Sequence, residues 1–346
     1  MGGPEYNLYI VKKGFVVTLK FSVVFLMFTL SIQAKEMGMM SAKTAYRETN
    51  EGIYMRSLEL TGINHRRELF WPYEGSEIGT HDLGADLLLN DGQSRDFDIS
   101  GQRFRLIYGQ QFSENSALVF KAGAHQYKAR QRNPNAAIQE IKHSNPVFET
   151  AYYLRVGRAK NRFIVEYDNV YLRLQLPAGV SNHLRYLNLS YDTNIDMSAT
   201  HRVSGGATQR FYSDSNQRTE MNLNTVHRFS ENPLIPWLGV GVQYLSSKKN
   251  LDGYWTPRSQ SGIGPRVQWS YWHSEVFSAG LYSNINYYYN STNKDYGVGH
   301  YTAAMLWIGD RNRFHGILEL VRMDSQQDRG SPWHENDIVF TLSYPW

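Results

Sequence analysis

The sequence predicts an all-β protein, a transmembrane antiparallel up-and-down β-barrel of sixteen strands, with fourteen strands as the alternative. Three observations predict this fold. Segments of roughly ten residues alternate between apolar and polar positions, as the strands of membrane barrels do. Alternate connections between these segments are all short, and the long connections fall in the other set together with some short ones. The chain also ends in an alternating run that finishes with an aromatic residue.

The N-terminus predicts a secretory signal peptide. Lys12, Lys13 and Lys20 precede an apolar run at 21–30, and the small residue Ala34 follows that run. The apolar run is too short to span a bilayer, so we expect cleavage near Ala34 rather than an uncleaved anchor. The predicted divisions are a signal peptide at 1–34, an N-terminal segment at 35–79 that holds the first strands or a plug, and the barrel at 80–346.

The alternation of the strands is clearest just before residue 290. Phe277, Ala279 and Leu281 fall on one face, and Ser278 and Gly280 fall on the other. Clusters of Gly, Asn, Asp and Ser separate segments of this kind. Single-chain bacterial barrels take even strand numbers, so two weaker candidates at 53–62 and 66–72 would raise the count from fourteen to sixteen. The fourteen are 80–89, 97–109, 117–127, 147–157, 162–174, 183–192, 196–212, 218–229, 236–247, 261–272, 276–290, 296–308, 313–323 and 337–346.

The lengths of the connections predict the direction of the strands. Outer-membrane barrels have short periplasmic turns and longer extracellular loops in alternation. The long connections at 128–146, 248–260 and 324–336 all belong to one set. The other set is short, which predicts a periplasmic C-terminus and a location in the bacterial outer membrane. Its members are 110–116, 158–161, 193–195, 230–235, 273–275 and 309–312.

The last strand predicts how the protein is assembled. Phe340, Leu342, Tyr344 and Trp346 occupy alternate positions up to the aromatic C-terminal residue, in line with Ile338. This pattern resembles the C-terminal signal that the barrel-assembly machinery recognises. The expected partners are therefore that machinery and outer-membrane lipid.

The composition excludes several classes of protein. The mean hydropathy is −0.50, which excludes repeated apolar helical spans. The value suits a membrane barrel, because apolar lipid-facing residues alternate with polar lumen residues and the average is low. The chain has no cysteine, so it has neither disulfides nor thiolate metal sites. A formal net charge of +4 does not indicate a basic surface for binding nucleic acid. Aromatic residues make up 14% of the chain, which suits girdles at the two membrane interfaces.

No catalytic pattern stands out among the polar residues. The chain has 11 histidines, yet no His-Glu-x-x-His motif, no zinc-ligand spacing and no nucleophile at a recognisable distance from a histidine and an acid. We therefore predict a protein that is not an enzyme and that needs no cofactor or metal.

Charged residues on the polar faces of the strands predict the lining of the lumen. Both signs are present, so these side chains either bind polar solutes by hydrogen bonds or pair with one another across the lumen. The predicted lining and substrate path consists of Arg103, Arg105, Glu149, Arg155, Glu166, Asp168, Arg202, Arg210, Glu220, Arg228 and Arg266.

Two segments in the second half resemble a known family. The first is the turn Ser213-Asp214-Ser215-Asn216-Gln217-Arg218, and the second is Tyr254-Trp255-Thr256-Pro257 before the strand at 261. In order and spacing they resemble the barrel domain of the poly-β-1,6-N-acetylglucosamine export porins and, more loosely, the cellulose-secretion outer-membrane subunits. The loop residues that carry this resemblance are Asp214, Asn216, Arg218, Tyr254, Trp255 and Pro257.

The resemblance covers residues 200–346 and implies a sixteen-stranded barrel that passes a linear exopolysaccharide during biofilm matrix export. The chain departs from that family in two ways. The exporters carry periplasmic helical repeats ahead of the barrel, so a separate periplasmic protein would have to supply them here. Ser215 also replaces the glycine usual in the turn. A closed structural or surface-interaction barrel and a general small-solute porin remain the alternatives, and the charge of the glycan is open.

Overall fold

A computed structural model shows a closed antiparallel barrel of sixteen strands within the described residues. The described residues are 38–49, 53–63, 79, 81–93, 97–132, 140–169, 183–249, 257–274, 276–292, 294–310, 314–326 and 332–345. The strands are β1 Met39–Thr49, β2 Tyr54–Ile63, β3 His81–Gln93, β4 Phe97–Ser113, β5 Ser116–Gln131, β6 Glu140–Val156, β7 Ala159–Asn169, β8 Arg185–Ser198, β9 His201–Tyr212, β10 Gln217–His227, β11 Trp237–Ser247, β12 Ser259–Ser274, β13 Phe277–Asn290, β14 Asp295–Gly309, β15 His315–Gln326 and β16 Pro332–Pro345.

The first and last strands close the barrel. Along its whole length β1 pairs with β16, from Met39 opposite Pro345 to Thr49 opposite Glu335. Every other strand pairs with its two neighbours in sequence. Closure leaves no sheet edge, so the backbone groups of the strands find their partners within the sheet, as a bilayer requires.

The fourteen predicted strands correspond to β3–β16. The weaker candidate at 53–62 corresponds to β2. The predicted strand at 66–72 and the signal peptide lie outside the described residues. The sixteenth strand is instead β1, which the alternation did not reveal. Its outward positions include Ala42, Thr44 and Glu48, so the apolar face is too weak to detect.

One predicted turn is wrong. Residues 193–195 lie inside β8, and the connection to β9 is at Ala199 and Thr200. The residues Thr193, Asn194 and Asp196 near the end of β8 are polar and were interpreted as a turn, although the strand continues through them to Ser198.

The two faces of the barrel differ in chemistry. On β4, Phe104 and Leu106 point outward and are 45% and 62% exposed, whereas Arg103 and Arg105 point inward and are buried. The same division runs around the barrel, so an apolar band faces outward for lipid. No helix in the described part of the chain is long and apolar enough to cross a membrane.

The short turns mark the periplasmic end of the barrel. The connections 114–115, 157–158, 199–200 and 275–276 lie at the end where β1 begins and β16 ends, and 170–184 and 248–258 lie at the other. Because short turns face the periplasm, β1 begins and β16 ends on the periplasmic side. The β2–β3 connection at 64–80 is an exception, since it is long and yet lies at the periplasmic end.

Candidate functional site

The barrel interior is identified by contacts between strands that are not neighbours. The Arg103 guanidinium of β4 reaches Asp168 of β7 at 3.1 Å and Glu59 of β2 at 3.4 Å. Side chains from such distant strands can meet only on the concave side of the sheet. The strand alternation then assigns every predicted lining residue within a strand to the inner face.

A compact ion-pair network fills the wall formed by β3 to β6. Arg105 donates to both carboxylate oxygens of Asp86, with Nη2 at 2.8 Å, and its Nη1 lies 3.1 Å from Glu149. Lys121 pairs with the same Glu149 at 3.0 Å. Arg105 is 4% exposed and Asp86 is 2% exposed. Two inward carboxylates thus compensate two inward cations, which keeps the buried charges paired.

A second cluster of buried polar side chains surrounds Asp168, which lies at the end of β7 away from the short turns. Its carboxylate accepts hydrogen bonds from Arg103, from the backbone of Asn169 at 2.7 Å and from the ring of His125 at 2.9 Å. His125 and Asn169 are fully buried. The contacts fix the direction of Asp168 and Arg103, so these two predicted lining residues are held by partners rather than exposed to solution.

The ion pairs around Arg105 and the cluster around Asp168 narrow one side of the lumen. A cavity of about 250 Å³ lies between inward side chains of β1 to β4 and of β7 and β8. Arg47 lines it from β1, where it pairs with Glu335 at 3.1 Å and Asp337 at 2.9 Å, and Glu166 and Tyr186 line it from β7 and β8. Tyr186 donates a 2.9 Å hydrogen bond to Glu166. Side chains therefore extend from strands on half of the circumference toward one small space.

The opposite wall is rich in glycine. Glycines occupy inward positions of β9 and β11 to β14, and neighbouring side chains such as Arg266 over Gly241 and Tyr288 over Gly299 cover several of them, whereas Gly280 has open space beside it. Met305 also points inward on β14 and is 41% exposed, which shows solvent beside this wall. The inward glycines are Gly206, Gly239, Gly241, Gly262, Gly264, Gly280, Gly297 and Gly299.

Neutral polar side chains accompany these glycines along β13. Tyr282, Asn284 and Asn286 follow one another on the inner face, and each amide donates to the preceding side chain at 3.3 Å. The Arg266 guanidinium donates to Asn286 at 2.7 Å and to Asn224 at 2.8 Å. The side-chain partners found for Arg266 are thus neutral amides, in contrast to the arginines of the opposite wall.

The periplasmic mouth carries most of the remaining predicted cations. A cleft of about 670 Å³, which we name the cationic cleft, is lined by Arg155, Arg158, Lys160, Asp196 and Arg202 and by the small residues of the adjoining turns. Arg202 pairs with Asp196 at 2.7 Å. Arg158 and Lys160 were not predicted to belong to the site, because their positions beside a two-residue turn could not be known before the strand bounds.

An aromatic residue orders the arginines beside the cationic cleft. The guanidinium carbons of Arg202 and Arg228 lie 4.3 and 4.7 Å from the ring centroid of Trp237. Trp237 is the first residue of β11, points inward and is buried. Cation–π contact of this kind restrains guanidinium groups in position. The sequence identified the two arginines but not the tryptophan that holds them.

The extracellular part of the inner wall holds another set of predicted residues. Arg210 and Arg218 share the carboxylate of Glu220, at 3.2 and 2.8 Å, and Arg210 lies over the ring of Tyr186. Because one carboxylate serves two guanidinium groups, this part of the wall is also net positive within these residues.

The turn motif fastens one loop to the next. The Asn216 side-chain oxygen accepts from the backbone nitrogens of Gln217 at 2.9 Å and Lys249 at 2.8 Å, and its own backbone nitrogen donates to Asp214. Ser215 has a φ of 68°, a conformation that glycine adopts without steric cost. Pro257 is fully buried beside this loop. The motif therefore has a structural role, and Tyr254 and Trp255 lie outside the described residues.

The predicted assembly residues lie on the lipid-facing side. Phe340 and Tyr344 are exposed on the outer face of β16, and Leu342 lies between them on the same face. Trp346 lies outside the described residues. Among the described residues no group of three or more His, Asp or Glu side chains could hold a metal ion.

No protein-family model matches the chain, and no curated protein matches its sequence. The fold is similar to that of a solved bacterial polysaccharide outer membrane secretin, with a TM-score of 0.65 over 90% of this chain and 99% of that chain at 12% identity. It is also similar to CdiB from Acinetobacter baumannii, with a TM-score of 0.52 over 89% of this chain and 60% of that chain at 10% identity. At such identities the likeness concerns the fold, so the more specific resemblance to the export porins stays a prediction.

Proposed function

We propose that this bacterial outer-membrane β-barrel is a channel for a linear polysaccharide. Its closed sixteen-stranded fold and its apolar outer face place it in outer-membrane lipid, and barrels of this kind are channels and porins. The observation that carries the proposal is the inner face of β13 with its neighbours. There, Gly280 leaves space on the lumen side, and the half-buried Tyr282 and Asn284 offer hydrogen bonds.

The path of the polymer follows from the difference between the two walls. The wall around Arg105 is filled by ion pairs, so its charged groups are already engaged with one another. Tyr282 and Asn284 on the other wall are half-buried, and they offer uncharged donors and acceptors that suit sugar hydroxyls. Threading requires contacts that are weak and repeated, because tight binding at one point would stop the chain.

The similarity in fold to a solved polysaccharide secretin supports the proposed polysaccharide channel. One solved structure whose fold matches 90% of this chain carries the description of a bacterial polysaccharide outer membrane secretin. By analogy, a separate periplasmic protein delivers the polymer to the short-turn end of this barrel, and the polymer leaves at the end with the longer loops. The residues Phe340, Leu342, Tyr344 and Trp346 form the assembly signal in this proposal.

A deletion strain tests the proposed export. We expect the strain to retain polysaccharide in the periplasm and to lose it from the culture supernatant, and a plasmid copy of the gene restores secretion. Secreted polysaccharide at the wild-type level, with none retained, would exclude the export function. The two alternatives differ in uptake, because a general porin restores small-solute uptake in a porin-deficient host and a closed barrel does not.

A further inference from the structure

The outer face of β4 to β6 changes from apolar to charged toward the extracellular end of the strands. Phe104 of β4 lies opposite Ala124 of β5, and both point outward at the edge of the apolar band. The next outward residues on the extracellular side are Gln102 and Gln126, which are joined by a 3.0 Å hydrogen bond. Beyond this pair the outward and exposed strand residues are Asp98, Ser100, Lys128, Arg130, Glu140 and Lys142. The three strands therefore continue past the hydrocarbon core of the bilayer.

The charged residues lie at the depth of the lipid headgroups. Lys128 follows Ala124 by four residues on β5, which is about 13 Å of strand. At a strand tilt of about 40°, this places Lys128 about 10 Å beyond the apolar band. The headgroup layer occupies about 5–8 Å on each side of the hydrocarbon core. Because a lysine side chain can extend along the barrel wall, its ammonium group reaches this layer.

Two lysines of this surface share one acid. Lys128 lies directly opposite Lys142 in the register of β5 and β6, an arrangement of like charges that is destabilising unless an anion offsets it. Their Nζ atoms lie 2.6 and 2.7 Å from the carboxylate of Glu140. An ammonium group has three hydrogen-bond donors, so each lysine keeps donors after this contact. The two side chains are 45% and 69% exposed, so a second anion can reach both.

The acids of this part of the outer face do not cancel its cations. The described outward acids at the extracellular end of β4 to β6 are Asp98, which pairs with Arg132 at 3.4 Å, and Glu140. On the adjoining strands Asp91 pairs with Arg56, which adds no net charge. The connection 133–139 carries no charged residue, and the connection 94–96 carries one of each sign. Two acids therefore stand against four cations, which are Lys128, Arg130, Arg132 and Lys142.

The partner that fits this surface is anionic and belongs to the outer leaflet. In the bacterial outer membrane that leaflet consists of lipopolysaccharide, whose lipid A part carries phosphate groups at the level of the headgroups. Lysine and arginine donate charge-assisted hydrogen bonds to phosphate oxygens. We propose that Lys128, Arg130 and Lys142 bind the phosphate groups of a lipopolysaccharide molecule whose acyl chains lie against the apolar band below. The site is on the outer side of the wall, so it is independent of what the lumen carries.

The test is native mass spectrometry of the purified, refolded barrel in detergent, with EDTA present so that no divalent cation bridges an acid to the lipid. The probes are lipid A with its two phosphates, dephosphorylated lipid A, and inorganic phosphate as a competitor. The variant Lys128→Gln/Lys142→Gln removes the two facing ammonium groups. The matched control is Arg56→Gln/Arg322→Gln, which removes two outward cations from β2 and β15, where each lies beside an acid. An unchanged shift on unheated gels verifies that both variants fold.

We expect the lysine variant to bind lipid A about tenfold more weakly than the wild type, since losing a charge-assisted contact changes affinity by about that factor. The control variant keeps the wild-type affinity, and dephosphorylated lipid A binds the wild type as weakly as lipid A binds the lysine variant. Equal binding of dephosphorylated lipid A, or an unchanged lysine variant, would show that acyl chains alone hold the lipid and overturns the proposal. An equal loss in the control variant, or no binding of lipid A to the wild type, overturns it as well. Inorganic phosphate that displaces lipid A at equal concentration would assign the site to free phosphate instead of the lipid.

Discussion

Replacing Asp86 by alanine removes the main partner of a buried arginine. Arg105 makes three contacts to this carboxylate, at 2.8, 3.0 and 3.1 Å, and both side chains are almost fully buried. Breaking a buried ion pair by deleting one partner costs about 3–5 kcal/mol, because the remaining charge is uncompensated. Glu149 stays within 3.1 Å of Arg105 and offsets part of this loss. We therefore expect a decrease of about 3 kcal/mol in the free energy of unfolding.

The measurement is denaturant unfolding of the protein in lipid vesicles, followed by tryptophan fluorescence and by the folded band on unheated gels. The double variant Asp86→Leu/Arg105→Met removes both charges and should recover most of the stability. Arg56→Ala is the control, because its partner Asp91 is exposed and such surface pairs contribute at most about 1 kcal/mol. An Asp86→Ala cost no larger than that of Arg56→Ala would refute the assignment of the network as structural.

Three further predictions concern the loop, the lumen and the last strand. Asn216→Ala should cost about 1–3 kcal/mol, because two backbone nitrogens lose a buried acceptor, and denaturant unfolding measures the loss. Gly280→Trp should lower single-channel conductance, since a Cβ there meets no atom nearer than 3.6 Å and the position faces the lumen, whereas Gly62→Trp on the outer face should leave it unchanged. Replacing both Tyr344 and Trp346 by Asp should block membrane insertion and leave the chain in the periplasm, and a wild-type amount in the outer membrane would show that β16 carries no assembly signal.

The alternation of apolar and polar residues was sufficient to find most strands, because each barrel strand has one face toward lipid and the other toward the lumen. It failed where this contrast is weak. In β1 the outward positions Ala42, Thr44 and Glu48 are small or polar and interrupt the apolar residues Met40 and Tyr46, so the apolar face is too weak to detect. In β8 the residues Thr193, Asn194 and Asp196 near the end of the strand are polar, and this polarity predicts a turn where the strand in fact continues.

The sequence predicted which charged residues point inward but not which of them meet. The face of a residue follows from the period of the strand alone, whereas a contact such as that of Arg103 with Asp168 depends on the stagger and curvature of four strands. The same holds for Trp237, which lies beside Arg202 only through the register of β9, β10 and β11. The partners of the predicted residues therefore had to come from the structure.

Single-channel recording in planar bilayers determines whether the lumen is open beside the glycine-rich wall. We expect steady conductance by the purified barrel and transient, concentration-dependent blockage when oligosaccharides are added on the side of the short turns. A bilayer that contains folded protein and shows no conductance would mean that the lumen is closed and that the protein is not a polysaccharide channel.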